Sequence, residues 1–460
     1  MPRTIRLLII VVIAACLHPR LQAAVVNSST WHYSSSVSAT GSGDPLDLVT
    51  LLDYDTTMVN APIMVLMHGY STGGGNSIAS YYQQAQRLRD AGFFVLTVAM
   101  RGRDGSQGVR DSGGVEIHDI YDAVEAVKTQ FAGIVNPTSV SITGYSGGGG
   151  NVMSALTKFP DYFRVGAAFF GMSDYGYDAA HSWYADGAST SHQAQMNTDV
   201  GNPLTGGDAV TDRYLARASN LGSKNNPYSE IHLFVNADEE VCKPVQSTSY
   251  RDNAVASATY DGEFDNVTVH IGQAGTYHDF DGDGTNDANE QQYWPHGKPT
   301  ANQQAAAEQW YLTQLLSGEI AQPTLNDQDQ LLVLGYVKTS KFSLWLGDGQ
   351  NAAGDLDYSL SDEEMTFDLA LASNDASVTG VLQVDTSRLG DRPVNVLLNG
   401  EQVDSFSGGG LYTFTGLGDQ DSLVFSAVPE PGMIVMLISA GVSGGLLAWR
   451  RSARSRRPTA

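Results

Sequence analysis

Cysteine, positive charge and regular repetition are all scarce in this chain. Only two of its 460 residues are cysteine, Cys16 and Cys242. If Cys16 departs with a signal segment, no intrachain disulfide can form, and stability must come from core burial and bound metal. Lys and Arg number 26 against 50 Asp and Glu, a net charge of −24. A field of that sign repels phosphate backbones and excludes nucleic-acid binding as a main role. No internal repeat of fixed period is found, which excludes solenoid and array architectures. What is present is the composition of a folded protein, 42% apolar and 17% charged, at about three times the usual single-domain length.

The few cations cluster at the ends. Eight arginines lie within the two tails, leaving 18 positives against 50 acids in the body, a net of −32. Arg3 and Arg6, the apolar run Leu7 to Leu17 and the small residues of Leu21-Gln22-Ala23-Ala24 form the three parts of a secretory signal, residues 1–24. Ile13-Ala14-Ala15-Cys16 within it also resembles a bacterial lipobox, so lipidation of Cys16 is the competing expectation. At the other end come Val428-Pro429-Glu430-Pro431, the uncharged run Met433 to Trp449, and Arg450-Arg451. The run meets the lower length for a membrane span, and the arginines would hold its end in the cytoplasm. A Pro-Glu-Pro triplet, an apolar span and an Arg cluster in this order resemble the PEP-CTERM sorting signal of Gram-negative bacteria. That resemblance implies export to the cell envelope or extracellular matrix. It further implies a signal peptidase and an exosortase-type enzyme as processing partners, and membrane anchoring before cleavage, for residues 428–460.

The body divides near residue 320. From Leu46 to about Leu316, short apolar runs such as Pro62 to Met67, Phe93 to Val98 and Val140 to Thr143 alternate with helical stretches. That alternation predicts a mostly parallel sheet flanked by helices. After Ala321-Gln322-Pro323 come short strand-like runs separated by Asp348-Gly349, Asn399-Gly400 and Gly408-Gly409-Gly410. They predict a small all-β sandwich over residues 325–427.

Gly144-Tyr145-Ser146-Gly147-Gly148 follows a predicted strand and precedes a helical stretch, the context in which G-x-S-x-G presents a nucleophile. Small neighbours permit the tight turn, and the helix N-terminus favours developing negative charge. After the run Ile231 to Val235 come Asp238, Glu239 and Glu240. Asp238 is the expected carboxylate, and its two neighbours are the alternatives. His278, in a loop before the final helix, is the expected base. His270 reads as a strand residue and His296 as a surface one. The order Ser, Asp, His is that of α/β-hydrolases. Tyr70, after the strand ending at Met67, and Gly147 would supply the two oxyanion N–H donors.

These motifs reach a family. Met67 to Tyr70, Arg101-Gly-Arg103-Asp-Gly-Ser-Gln-Gly108, Gly114 to Ile120, Pro160 to Phe163 and Gly171 to Asp174, with the Asp238 and His278 loops, resemble prolyl-oligopeptidase-like serine hydrolases. The likeness spans about residues 45 to 316 and implies an α/β-hydrolase fold over 25–320. It also implies a Ser146–Asp238–His278 triad and a peptide substrate. Gly147 stands where those peptidases usually carry Tyr, and no β-propeller precedes the first strand. Related propeller-free enzymes include esterases and dienelactone-type hydrolases, so an ester substrate stays open. So does a non-catalytic envelope protein on the same scaffold.

One acidic loop stands apart. Asp279, Asp281, Asp283, Asp287 and Glu290 occupy positions 1, 3, 5, 9 and 12 of a loop with Gly284 at position 6. Thr285 offers its carbonyl at 7. These are the EF-hand ligand positions and predict a structural Ca2+. Asn286 replaces the usual apolar residue at position 8. The loop begins one residue after His278, so the ion would stiffen the expected histidine loop.

Overall fold

The apolar runs of the first two-thirds show no alternation because they are covered on both faces. The computed structural model describes residues 26–37, 45–70, 78–256, 266–277, 301–317 and 320–428, together with 279, 283–288, 290, 291, 293 and 296. Eight strands form one sheet: β1 (Val26–Ser34), β2 (Asp47–Asp55), β3 (Ala61–Met67), β4 (Phe94–Val98), β5 (Val135–Tyr145), β6 (Val165–Phe169), β7 (Glu230–Asn236) and β8 (Val267–Gly272). Their order is β1-β2-β4-β3-β5-β6-β7-β8. β1 and β2 are antiparallel to their neighbours, and every pair from β4 onward is parallel.

Helices cover both faces, as parallel crossovers require. In chain order they are α1 (Tyr82–Asp90), α2 (Glu116–Gln130), α3 (Gly147–Lys158), α4 (Trp183–Asp186), α5 (Thr190–Asp199), α6 (Asp208–Leu215), α7 (Pro244–Val255) and α8 (Ala301–Ser317). One core cluster joins Ile63, Val65, Leu96 and Ile142 to α2 and α3. The other joins Met64, Leu66, Val95 and Phe169 to Tyr311, Leu312 and Leu315 of α8. This is the expected α/β-hydrolase fold.

The second sheet is wholly antiparallel and lies C-terminal to the first. Its strands are β9 (Gln328–Leu334), β10 (Tyr336–Lys338), β11 (Phe342–Leu346), β12 (Ala353–Leu360), β13 (Glu364–Leu371), β14 (Gly380–Asp385), β15 (Pro393–Leu398), β16 (Glu401–Ser407), β17 (Leu411–Leu417) and β18 (Asp421–Ala427). They run β16-β15-β18-β13-β12-β9-β10-β11-β14-β17. The sheet folds over on itself: its edge strands meet where the Phe406 and Tyr412 rings stack at 4.6 Å. Between the layers lies an apolar core that includes Phe342, Phe367 and Phe425. The sandwich-like domain is thus one doubled-over sheet. Gly335, at φ +78°, separates β9 from β10. A Cβ there would lie 2.1 Å from the Gly349 carbonyl oxygen.

The two domains share their packing. Tyr336 is fully buried within the core cluster of the first domain and meets Phe159 edge-on. Leu215 of α6 joins Leu332, Leu334 and Ala353 in a smaller cluster across the boundary. Polar contacts reinforce it. The Leu332 N–H donates to Asn225 Oδ1, and Asn225 Nδ2 returns a bond to the Leu332 carbonyl.

Candidate active site

The site forms where β3, β5, β6 and β7 end, at the carboxyl edge of the parallel sheet, where ligands bind in such folds. β5 delivers Ser146 in a strained conformation, φ 56° and ψ −122°, immediately before α3. The close approach of α3 to β3 makes this turn possible. A Cβ on Gly148 would lie 2.3 Å from the Met67 carbonyl oxygen, and one on Gly144 would lie 2.5 Å from that of Gly148. Strain of about 1–3 kcal/mol at such a position persists only where its surroundings enforce it.

Ser146 Oγ lies 3.2 Å from His296 Nε2, and His296 Nδ1 lies 3.0 Å from Glu239 Oε1. The last distance suits a hydrogen-bonded ion pair. Glu239 is buried, and its carboxylate also accepts the Val241 N–H at 2.8 Å and the Cys242 N–H at 3.2 Å. Burial alone would raise its pKa. The hydrogen bond and charge of His296, with the two N–H donors, outweigh burial and hold it below the usual carboxylate range. The Phe170 ring, on a residue at φ 39°, packs 5.0 Å from the His296 ring.

Two expectations are met differently here, Asp238 as the carboxylate and His296 as a surface residue. Asp238 is exposed, and its recorded side-chain contact is with the Tyr293 hydroxyl, 3.4 Å away. The turn after β7, closed by Glu239 N–H to Asn236 carbonyl, tucks residue 239 inward and leaves 238 facing solvent. The histidine beside Ser146 is His296, not a surface residue. His278 itself lies outside the described residues. The sequence signal for His296 was its place in the loop before α8, a criterion that His278 also met.

Tyr70 and Gly147 lie against each other: a Cβ on Gly147 would come 2.2 Å from the Tyr70 nitrogen. Only glycine fits at 147 with this loop in place, which accounts for the departure from Tyr noted in the sequence. Tyr81 steadies the loop, its hydroxyl accepting the Gly69 N–H at 3.0 Å. His68 is buried, with Nδ1 2.9 Å from the Gly69 carbonyl oxygen. Burial and the Arg103 charge push its pKa down, so it packs beneath the loop as a neutral ring. The Tyr70 hydroxyl pairs with Ser112 Oγ at 2.9 Å, and Ser112 Oγ lies 2.7 Å from Asp199 Oδ2. Trp183 is 2% exposed and meets Tyr70 edge-on at 5.2 Å, so it backs the Tyr70 ring from within the protein.

Two buried ion pairs lie below. Arg101 binds Asp119 at 2.5 Å, and Arg103 binds Glu116 at 2.7 Å. Asp111, beside Glu116, is pushed up to about 6, chiefly by burial and then by the Glu116 charge.

Of the acidic loop, Asp279, Asp283, Thr285, Asp287 and Glu290 are described, and Asp281 lies outside. Asp279 accepts the N–H groups of Asp283 and Gly284, and Gly284 has φ +77°. A bridge between Tyr277 and Gln291 closes the loop at its base, five residues before His296. Among the described residues, no three His, Cys, Asp or Glu side chains form a ready metal cluster. No helix among them is long and apolar enough to cross a membrane. Residues 1–24 and 429–460 lie outside them.

The sequence model of the prolyl oligopeptidase family matches residues 79–203, from just before α1 through the Ser146 elbow to just past α5. Over that stretch, 125 of the 460 residues, the chain is similar to that family. A comparison with curated proteins finds no match. Among solved structures, the chain is similar to an acylaminoacyl peptidase of Pyrococcus horikoshii at 18% identity and TM-score 0.41, covering 56% of this chain and 38% of that one. It is similar to an esterase of Pyrococcus furiosus at 12% and 0.41, covering 64% and 94%. It is similar to oligopeptidase B of Leishmania major at 13% and 0.44, covering 64% and 37%.

Proposed function

We propose that this protein is a serine hydrolase that cleaves acyl bonds, with Ser146 as nucleophile, His296 as general base and Glu239 as the carboxylate that orients it. The observation that carries this reading is the continuous Ser146–His296–Glu239 contact. His296 Nε2 takes the Ser146 proton as Oγ bonds to the substrate carbonyl carbon. Glu239 keeps the Nδ1 proton in place and stabilises the imidazolium. The oxyanion would be held by the N–H groups of Tyr70 and Gly147 at the start of α3, each donor being worth about 3 kcal/mol. His296 then passes its proton to the leaving group as the carbonyl–leaving-group bond breaks, and water releases the acyl-enzyme.

Peptide bonds are the first substrate reading, from the family match. Esters are the second, because Gly147 stands where the peptidases of that family usually carry Tyr. Covalent labelling by a fluorophosphonate, lost in Ser146→Ala, tests the site. Unlabelled folded wild-type protein would instead favour a non-catalytic scaffold. Turnover of p-nitrophenyl esters beside aminoacyl-nitroanilides separates the substrates.

The same proposal includes export, with residues 1–24 as the signal and 428–460 as a sorting tail. The mass of the mature protein tests both. It also includes a structural Ca2+ at Asp279, Asp281, Asp283, Thr285, Asp287 and Glu290. The all-oxygen donor set and the left-handed Gly284 fit a hard cation. The ion would neutralise the acids and hold the base of the His296 segment. Calorimetric titration with Ca2+ tests binding, and absence of heat at millimolar Ca2+ would remove the ion from the proposal.

A further inference from the structure

The C-terminal β-domain reaches the oxyanion loop through one buried arginine. Arg217, just after α6, is 2% exposed. Its Nη1 donates to the Gln350 carbonyl of the β-domain at 2.8 Å, and its Nη2 donates to Gln350 Oε1 at 3.2 Å. Its Nε donates to the Asp111 carbonyl at 3.0 Å. The guanidinium and the Asp111 carboxylate share a slot that only glycine leaves open. A Cβ on Gly114 would lie 2.5 Å from Arg217 Nη2 and 2.8 Å from Asp111 Oδ2.

The next residue is Ser112, fully buried at φ 51°. A non-glycine residue holds that conformation only under constraint from its surroundings. Its hydroxyl proton goes to the Asp199 carboxylate, 2.7 Å away, so the Tyr70 hydroxyl donates to Ser112 Oγ. Ser112 thereby fixes the side chain whose own backbone N–H lies against Gly147.

We infer that Arg217 is a positioning residue: it couples the β-domain, through the Asp111–Ser112 turn, to the placement of Tyr70 in the oxyanion site. The β-domain would then be part of the catalytic apparatus rather than a separable binding module. This inference rests on the serine-hydrolase reading above. Displacing a catalytic donor by about 1 Å costs on the order of 100-fold in rate. Loosening its support two residues away should cost about 10-fold.

The test is the pre-steady-state burst of p-nitrophenol from a p-nitrophenyl ester, using the full chain. In Arg217→Met the burst rate constant should fall about 10-fold while the burst amplitude per mole of folded protein stays at the wild-type level. A merely structural role would lower the amplitude, the fraction of competent sites, and leave the rate constant alone. Either that pattern or wild-type values for both overturns the inference. If Arg217→Met yields no folded protein, Ser112→Gly, which suits φ 51° and removes the hydroxyl together with its Cβ, reads the Ser112–Tyr70 end of the same link. A wild-type burst constant there overturns it equally. Wild-type protein that hydrolyses no ester and takes no fluorophosphonate label would overturn the serine-hydrolase reading and this inference together. A labelled, active wild type with an unaltered Arg217→Met overturns this inference alone.

Discussion

The two sheets differ in where they keep backbone strain. In the first domain, three of the five described non-glycine residues at positive φ, Ser146, Ser112 and Phe170, lie around the site, and the other two, Asn60 and Asp104, lie in a bend and a turn. In the β-domain the corresponding residues are Asn399 and Gln420. Asn399 begins the Asn-Gly turn between β15 and β16, where left-handed backbone is the ordinary solution to a tight hairpin. Strain at a hairpin serves chain reversal, and strain at the site serves presentation of a side chain. Burial differs in the same way. β4 and β6 are buried at every position, whereas β13 and β14 alternate. A parallel sheet covered on both faces can expose function only at its strand ends.

The largest expected effects concern the strand ends. His296→Ala should lower kcat about 10⁴-fold or more, and Glu239→Gln at least about 100-fold. Asp238→Asn should leave kcat near the wild-type value. The reverse ranking of Glu239 and Asp238 in steady-state kinetics would overturn the assignment.

Cooperation between the domains comes next. Tyr336→Ala empties a buried site within the catalytic core and should cost about 3–5 kcal/mol. Urea unfolding followed by near-UV circular dichroism and by activity should remain one coincident transition. Two separated transitions would mean that the domains are independent.

Lys158 sharpens the same boundary. It is buried, donates to the Ala216 and Leu334 carbonyls, and lies 4.5 Å over the Tyr336 ring. Its pKa is pushed down to about 7, first by burial and then by the Arg217 charge. Between pH 7 and about 10 the unfolded chain therefore holds a proton that the folded chain lacks. Stability from this group should rise with pH across that window by up to about 1.4 kcal/mol per unit. Unfolding curves at several pH values should show the rise in wild type and a flatter profile in Lys158→Met.

The smallest effect separates the two kinds of strain. Ser146→Gly should gain about 1 kcal/mol of stability while abolishing turnover. Asn399→Gly should stay within about 0.5 kcal/mol of wild type and leave turnover unchanged. Equal gains at both positions in denaturant melts would erase the distinction.

Several features were legible without coordinates because their causes are local. The glycines around Ser146 permit one kind of turn, and the apolar runs before and after it report a sheet covered on both faces. The helices of 183–215 were not legible individually, because their apolar residues are few and serve contacts with Tyr70 and the β-domain. β16 carries no sequence signal for a related reason: its residues are mostly exposed and form no buried stripe.

The sequence by itself determined the tight strand–turn–helix at Ser146, the α/β architecture and the all-β character of residues 325–427. Each follows from local spacing and pattern. Only the tertiary structure decided which of three adjacent acids meets His296 and that His296 meets Ser146. In a turn, no periodicity records which side chain faces inward. Glu239 faces His296 because the bend after β7 turns it there, and His296 reaches Ser146 across 150 residues of chain. The same holds for the shared core, where Tyr336 completes a cluster built by residues far earlier in the chain. Contacts of that range are set by how sheets and helices stack, which no local pattern encodes.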